Sequence, residues 1–190
     1  LIGYVHHIGQ SLRVAALIES VGQETRDLLD KIYDDHGPQP RDVGDEVRAT
    51  RSGVAFHVDH DRAIALAAKA DCVLEMVPAI GDYVSAGAPL FRVHGKTHRI
   101  DRDQAAALVA LGPERTMNQD PAYGFRMLVD IAERSLSDSF NDPTTAVQAI
   151  DRLHDCLRQL APRPFPSGEH FDDQGVLRLV VPSLAWAGFV

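Results

Sequence analysis

The segment AIGDYVSAGAPLFRV, which runs from Ala79 to Val93, carries the most legible motif of the chain. It has the form Gly-Asp-x-Val-x-x-Gly-x-x-Leu. Gly81 and Gly87 permit tight backbone turns, because glycine reaches conformations that other residues avoid. An apolar run, Cys72 to Val77, precedes the segment, and a second one, Pro89 to Val93, forms its end. We therefore predict two strands around a turn-rich connection.

Three further residues of this segment favour a small β-barrel. Val84 and Leu90 are expected to face inward from adjacent strands, and the Asp82 carboxylate to bond backbone groups of the turn. The motif resembles the half-barrel of biotinyl and lipoyl carrier domains, and of the related hammerhead folds found in many proteins that are not carriers. This resemblance implies a small hammerhead-like β-barrel module at residues 46–100.

A carrier domain would need a lysine on an exposed hairpin tip after the second strand. Lys96, in the stretch VHGKTHR, lies in roughly that place. It lacks the methionine on both sides that marks biotinyl domains, and it lacks the Asp-Lys pair of lipoyl domains. We therefore expect Lys96 to be an ordinary turn residue, with a carrier-like module as a minor alternative.

Residues 1–33 have the periodicity of a long helix. Apolar side chains recur near three- and four-residue spacing, which places them on one stripe: Val5, Ile8, Leu12, Ala16, Val21, Leu28 and Ile32. The stretch DDHGPQPRD ends the pattern, since proline cannot continue a helix. The chain begins at Leu1 rather than Met and ends in the apolar stretch LAWAGFV. We expect a helix at residues 1–36 that follows a membrane region, and a chain that continues past Val190.

The rest of the chain alternates extended and helical patterns. Residues 46–59 read as extended, 59–69 as a short helix, 101–112 as a helix, and 176–181 as a strand after a turn at 173–175. Asp120-Pro121 and Asp142-Pro143 each place a capping carboxylate before a proline, so a long helix is expected to begin at each. On the second of these helices one face is expected to hold Val147, Ile150, Leu153, Leu157 and Leu160. The predicted fold class is α+β, with a long N-terminal helix, the small β-barrel, and a helical layer with a C-terminal hairpin and strand at residues 101–190.

Composition excludes several classes of protein. The chain has 190 residues, 45% of them apolar and 24% charged, which is ordinary for a globular protein and unlike a disordered one. Its formal net charge of −8 argues against a general nucleic-acid binder, whose surface would be basic. Cys72 and Cys156 lie far apart among apolar neighbours. Two cysteines make no disulfide framework, so either a reducing compartment or plain buried thiols are expected.

Charged and amide side chains gather around the joins of the helical region, with Asp120 among them. The arginines could pair with the aspartates as structural clamps, or they could form an anion pocket with the free N–H groups of two helix N-termini. In a hydrolytic site, Asp130 or Asp142 would act as a base or a metal ligand. The candidate ligand-binding residues are Arg115, Arg126, Asp130, Asn141, Asp142 and Thr144.

Histidines offer weak candidates for a metal site. His57 with His60, and His94 with His98, would converge if the strand through His57 paired with the strand through His94. Nothing in the spacing requires this pairing, so solvated surface histidines are the expectation. We predict no metal and no cofactor.

Signatures of enzymes are absent from the sequence. It contains no Gly-x-Ser-x-Gly, phosphate-binding loop, zinc signature or dinucleotide fingerprint. Neither cysteine has a local activating pattern. The sequence therefore favours a protein that is not an enzyme, and it identifies no catalytic residue.

Two longer stretches carry a family resemblance. The stretch YVHHIGQSLRVAALIESVGQET, residues 4–25, looks like the segment after the last membrane helix in the domain-of-unknown-function 2254 family of predicted bacterial membrane proteins. The stretch GPERTMNQDPAYGFRMLVDIAERSLSDSFNDPTTAVQAIDRL, from Gly112 to Leu153, is similar to the most characteristic stretch of that family. The resemblance covers essentially the whole chain. It implies several transmembrane helices before Leu1 and transfers no catalytic or binding residue.

These features together predict a soluble regulatory or interaction domain of an integral membrane protein. The expected location is the cell membrane, with the domain on the cytoplasmic side. Its expected partners are its own transmembrane region and a second copy of the chain, with no nucleic acid and no known small-molecule ligand. The alternative is a small-anion-binding or hydrolytic site at the arginine, aspartate and asparagine residues named above.

Overall fold

The computed structural model describes residues 17–18, 20–29, 31–32, 45–137 and 141–185. The chain forms two compact units, Leu1–Val43 and Gly44–Val190. In the first unit all the described residues are helical, and we call this helix α1. Its large apolar side chains are exposed: Leu17, Ile18, Val21, Leu28, Leu29 and Ile32. The predicted helix is thus confirmed for these positions, and the rest of residues 1–36 lies outside the described ones.

The second unit holds strands and helices in alternation. The strands are β1 (Glu46–Arg48), β2 (Gly53–Val58), β3 (Cys72–Met76), β4 (Tyr83–Val84), β5 (Pro89–Gly95), β6 (Val109–Gly112), β7 (Glu169–Phe171) and β8 (Leu177–Val180). The helices are α2 (His60–Ala70), α3 (Arg102–Ala106), α4 (Pro121–Ser135) and α5 (Pro143–Leu160), with a short 3-10 helix at Thr97–Arg99.

The strands form two sheets. One has five strands in the order β1-β5-β3-β8-β7, and the other has three in the order β4-β2-β6. All paired strands are antiparallel except β3 and β8, which run parallel with Leu74 opposite Leu179. The C-terminal strands therefore join the sheet that begins at β1.

A single apolar core is shared by both sheets and by α2. The larger sheet contributes the fully buried residues Leu74, Phe91 and Leu179. The smaller sheet contributes Ala55, which is also fully buried. Helix α2 contributes several buried alanines to the same core. Their small side chains let the helix approach the sheet closely.

The predicted small hammerhead-like β-barrel is not confirmed, because the described strands form two sheets that do not close into a barrel. Val84 and Leu90 are both buried, as expected, but Val84 lies on β4 of the smaller sheet and Leu90 on β5 of the larger one. The strands of the Gly-Asp motif thus separate into different sheets. The mixed α+β class is confirmed.

The predicted helix at residues 101–112 is also wrong over its second half. Helix α3 ends at Ala106, and the chain continues into β6, which pairs with β2 from Val54 opposite Gly112 to Val58 opposite Val109. The backbone hydrogen bonds of this long-range pairing override the local helical pattern. The predicted starts of α2, α4 and α5 are confirmed, each with an aspartate at the N-cap.

Helices α4 and α5 pack chiefly against each other. The buried residues of the pair are all small: Ala122, Ala132, Ser135, Ala146 and Ala149. The predicted apolar face of α5 is therefore only partly correct. Val147 and Ile150 are 56% and 52% exposed, while the neighbouring alanines face inward.

Candidate functional site

The Gly-Asp turn of the opening motif rests on the start of α4. Gly81 has a φ of +100°, and its N–H donates to the Ala55 carbonyl oxygen at 2.7 Å. The Asp82 carboxylate accepts from the N–H of Ala79 at 2.8 Å, which confirms its predicted role in the turn. The turn is thereby fixed to β2.

The buried Asp120 forms an ion pair beside this turn with Arg115, whose side chain is 38% exposed. Asp120 is 1% exposed, and its Oδ2 lies 2.5 Å from Nε of Arg115 while Oδ1 accepts a second bond at 3.2 Å. Oδ1 also accepts from the N–H of Tyr123, which makes Asp120 the N-cap of α4. The hydrogen bond to Asp120 raises the pKa of Arg115 further above its usual value. Arg115 additionally lies over the ring of Tyr123, 5.3 Å from its centroid.

The closeness of Gly81 to this pair explains why the turn needs a glycine. A Cβ at Gly81 would lie 2.7 Å from both Nε of Arg115 and Oδ2 of Asp120. Real Cβ atoms essentially never come that close to another heavy atom. The backbone of the turn and the ion pair therefore form one packed joint.

Gln119 attaches the same joint to the end of β2. Its Oε1 accepts from the N–H of Val58 at 2.8 Å, and its Nε2 donates to the Val58 carbonyl oxygen at 3.1 Å. The amide thus satisfies both backbone groups of one residue, as a neighbouring strand would. Neither Gln119 nor the contact of Gly81 was predicted as part of the site. The only sequence signal was the position of Gln119 next to Asp120 in the stretch similar to the family.

Two of the predicted ligand-binding residues, Arg126 and Asp130, pair with each other along α4. Nε of Arg126 lies 2.9 Å from Oδ1 of Asp130, one helical turn away. The two side chains are 65% and 37% exposed. This is an ordinary surface pair, worth only a few tenths of a kcal/mol in a helix.

Three other candidates, Asn141, Asp142 and Thr144, lie at the start of α5. The Asp142 carboxylate accepts from the Thr145 N–H at 3.2 Å and from its hydroxyl at 2.6 Å. The Thr145 hydroxyl bond is the main reason that the pKa of Asp142 lies below its usual value. Asn141 has a φ of +41°, and Thr144 is exposed. A carboxylate engaged as a cap with a lowered pKa is poorly suited to act as a general base near neutral pH.

The two helix starts do not converge on one pocket. The N–H of Asp142 donates to the Ser135 carbonyl oxygen at 2.8 Å, so α5 begins where α4 ends. The N-terminus of α4 lies at the other end of a 15-residue helix. At 1.5 Å per residue that separation is roughly 22 Å. The candidate residues therefore occupy three separate places: the joint at Arg115, the middle of α4, and the start of α5.

The four candidate histidines do not come together at one site. β2, which holds His57, pairs with β4 and β6, so the pairing that would bring it to His94 on β5 is not formed. Nε2 of His94 lies 2.7 Å from Oε2 of Glu75 instead, and His98 is exposed in the 3-10 helix. His57 and His60 lie near His170 of β7, which the sequence did not suggest. Within the described ranges no three His, Cys, Asp or Glu side chains are grouped so that they could hold a metal ion.

Lys96, the candidate carrier lysine, directly follows β5. Its Nζ lies 2.6 Å from Oδ2 of Asp71, and the Lys96 side chain is 48% exposed. The hydrogen bond from Lys96 is the main cause of the lowered pKa of Asp71, with Arg178 as a smaller one. The lysine therefore takes part in a surface ion pair at the end of α2.

A groove of about 540 Å³ lies between α4 and α5. Its walls are mostly apolar and include two methionines and a cysteine, whose side chains adapt readily to different contacts. The lining residues are Met117, Pro121, Gly124, Phe125, Met127, Leu128, Ile131, Cys156, Gln159, Leu160 and Arg163.

Comparison with known proteins identifies the family. The model of DUF2254, a family of predicted membrane proteins, matches residues 1–190. The chain belongs to this family. The resemblance noted in the sequence is thereby confirmed, and the joint at Gly81, Gln119 and Asp120 is a feature of a DUF2254 chain.

Two mycobacterial proteins illustrate how this DUF2254 chain compares with its relatives. It is 31% identical over 205 residues to the uncharacterized protein Mb1321c of Mycobacterium bovis and, equally, to the uncharacterized protein Rv1290c of Mycobacterium tuberculosis. The alignment covers 100% of this chain and 39% of each relative, so the chain spans about two fifths of their length. No solved structure matches it. Among the helices of the described ranges, none combines the length and the apolar character that crossing a bilayer demands.

Proposed function

We propose that this chain is a regulatory or interaction domain of a membrane protein, and that the α4–α5 hairpin is the surface through which two copies associate. The observation that carries the proposal is the exposure of large apolar side chains on a hairpin that packs chiefly on itself. Membership of a family of predicted membrane proteins supports the setting. The cytoplasmic side is part of the same proposal, since Cys72 and Cys156 are both unpaired thiols, which suits a reducing compartment.

The hairpin exposes more apolar surface than two packed helices require. Ile131 and Leu136, near the end of α4, are 40% and 59% exposed, in addition to Val147 and Ile150 on α5. Single exposed apolar residues are normal, but several on one short hairpin are typical of an interaction surface.

The geometry of α5 places the exposed Val147 and Ile150 on one side, with the exposed His154 one turn further along that side. Residues three apart on a helix are neighbours, so Val147 and Ile150 lie on one side. Gln148 lies about 160° around the helix from Ile150, because each residue turns the helix by about 100°. The side of Val147 and Ile150 is next to the alanines that contact α4, where a further helix could pack.

A second copy of the chain is the occupant that fits this surface best. Two hairpins placed side by side make a four-helix bundle, which buries the sides that each hairpin leaves exposed. Identical copies related by a two-fold axis present the same patch to each other, so this side of one α5 meets the same side of another. The joint at Arg115 and Asp120 would hold each hairpin at a fixed angle for this contact.

Thiol cross-linking of the full-length protein in detergent micelles tests this assignment. We expect Ile150→Cys to form a covalent dimer with a short bifunctional thiol reagent, and Gln148→Cys to remain at the wild-type level. The wild-type protein supplies the baseline for the natural Cys72 and Cys156. Equal cross-linking of the two variants, or none with either, would contradict the proposed surface.

An anion-binding or hydrolytic role has less support. Its candidate residues occupy separate places, and Asp120, Asp130 and Asp142 are each engaged with a neighbour. A carrier role for Lys96 is likewise less supported, because its ammonium group is paired with Asp71. We therefore retain association through the α4–α5 hairpin as the proposed function.

A further inference from the structure

Two histidines from different elements are in ring contact in the second unit, and a third lies near enough to influence the charge of one of them. His57 lies on β2, His60 is the first residue of α2, and His170 lies on β7. The ring centroids of His60 and His170 are 4.6 Å apart, with the rings tilted by 45°. The group therefore links the three-stranded sheet, the helix and the last strand of the five-stranded sheet.

His57 brings an unsatisfied nitrogen to this group. Its Nδ1 is buried and has no hydrogen-bond partner among the described residues. A β-bulge between Ala55 and His57 interrupts the ladder to β6 at this point, and a bulge re-aims the side chain that it carries. A neutral imidazole tolerates a bare ring nitrogen, but a protonated one would place a charged N–H there without an acceptor.

The surroundings of His60 disfavour its positive charge. Burial lowers the pKa of His60 most, followed by His170 and His57, while Asp61 and Asp59 act in the opposite direction. Asp59 already caps α2 by accepting from the N–H of Arg62. The balance of these effects leaves His60 neutral at pH values where a free histidine would begin to charge.

Charged groups on β3 and β8, two of the three strands that pack against α2, have partners of their own, while on the third, β7, Glu169 is exposed beside His170. On β8, Arg178 is paired with Asp172 and Asp71. On β3, Glu75 is paired with His94. These groups are already engaged and so offer little to stabilise a charged histidine cluster.

We propose that His57, His60 and His170 form a proton-sensitive latch, which holds β7 against α2 at neutral pH and releases it on acidification. The proposal is independent of association through the α4–α5 hairpin. It concerns a different edge of the same unit.

Strand β7 is the element that such a latch would release. It has only three residues, and it lies at the end of the sheet order, where it pairs with β8 alone. β8 remains held from its other side by β3. Repulsion among charged imidazoles therefore acts on a short edge strand, the type of element that opens locally at low cost.

Hydrogen–deuterium exchange of the full-length protein tests the latch. Exchange is compared at about pH 7.5 and about pH 5.5, the range in which histidine charges, with times corrected for the intrinsic effect of pH. We expect protection of residues 169–171 to fall about tenfold or more on acidification, with α5 unchanged. The variant His170→Phe keeps an aromatic ring packed against His60 but cannot become charged. In this variant the protection of residues 169–171 is expected to persist at the lower pH.

Two further variants keep the test decisive. His98 is exposed in the 3-10 helix, so His98→Phe is the matched control and is expected to behave like the wild type. If His170→Phe fails to fold, His170→Gln removes the charge with a polar side chain and has the same expected result. The latch is overturned if wild-type β7 keeps its protection at about pH 5.5, or if both neutral variants lose it as the wild type does.

Discussion

The guanidinium of Arg115 binds the carboxylate of Asp120 through two hydrogen bonds, although Asp120 is 1% exposed. A buried carboxylate without such a partner would be strongly destabilising. Because the same carboxylate caps α4, the pair fixes the start of the helical hairpin to the Gly81 turn. Arg115 and Asp120 thus have a structural role that is visible in their contacts.

Replacement of Gly81 by alanine is expected to destabilise the fold more than the same change at Gly87. Both glycines have positive φ, so both substitutions strain the backbone by about 1 kcal/mol. Only at Gly81 would the new Cβ also collide with Arg115 and Asp120, since nothing lies within 4 Å of a Cβ at Gly87. Urea unfolding of the two variants measures the difference, and equal losses would argue against the packed joint.

The two N-cap aspartates are expected to differ in their contribution to stability. Asp120→Ala removes a cap and the charge-assisted hydrogen bonds to Arg115, whose own side chain remains partly solvated, for an expected loss of about 2 kcal/mol. Asp142→Ala removes a cap from an exposed site and is expected to cost less. Chemical denaturation followed by circular dichroism compares them. A loss from Asp120→Ala no larger than that from Asp142→Ala would show that the ion pair contributes little.

The stability of the chain is expected to fall as the pH drops through the range of histidine titration. The folded-state pKa of His60 is lowered, so the unfolded chain takes up its proton first. The stabilisation is therefore complete above the unfolded value of about 6.5 and is lost as the pH falls toward the folded value. The urea midpoint measured from about pH 8 to about pH 5 should decline. His60→Gln should decline less, and a midpoint that rises on acidification would contradict the assigned direction.

The two thiols are expected to react at different rates. Cys72 is 2% exposed, and burial raises the pKa of its thiol, so little reactive thiolate forms. Cys156 is only partly buried and lines the α4–α5 groove. Under native conditions a chromogenic disulfide reagent should modify Cys156 well before Cys72, as peptide mass analysis would show. Faster modification of Cys72 would indicate that β3 opens readily.

Local chemistry made the helix starts predictable from the sequence. An aspartate followed by proline satisfies the first N–H groups of a helix and presets its backbone, so Asp120 and Asp142 both predict a start that the structure confirms. The turn at Gly81 was predictable from local features, its glycine and the Asp82 carboxylate, whereas its close contact with Arg115 and Asp120 was not.

Long-range pairing accounts for what the sequence did not predict. The segment that forms β6 has a helical pattern of its own, and it becomes a strand only because β2 supplies partners about 55 residues earlier in the chain. The sequence around Gln119 did not predict its hydrogen bonds to Val58, because a side-chain amide can bind any backbone segment that the fold brings to it. The separation of the candidate residues likewise follows from the antiparallel course of α4 and α5.

The mass of the full-length protein in detergent tests the central claim most directly. Light scattering that separates protein from detergent mass should give a dimer or a higher multiple for the wild type. Ile150→Glu should shift the protein to a monomer, because it places a charge in the proposed apolar contact. Gln148→Glu, which adds the same charge on the opposite side of α5, should leave the mass unchanged. A monomeric wild type, or an associated Ile150→Glu variant, would contradict association through the α4–α5 hairpin.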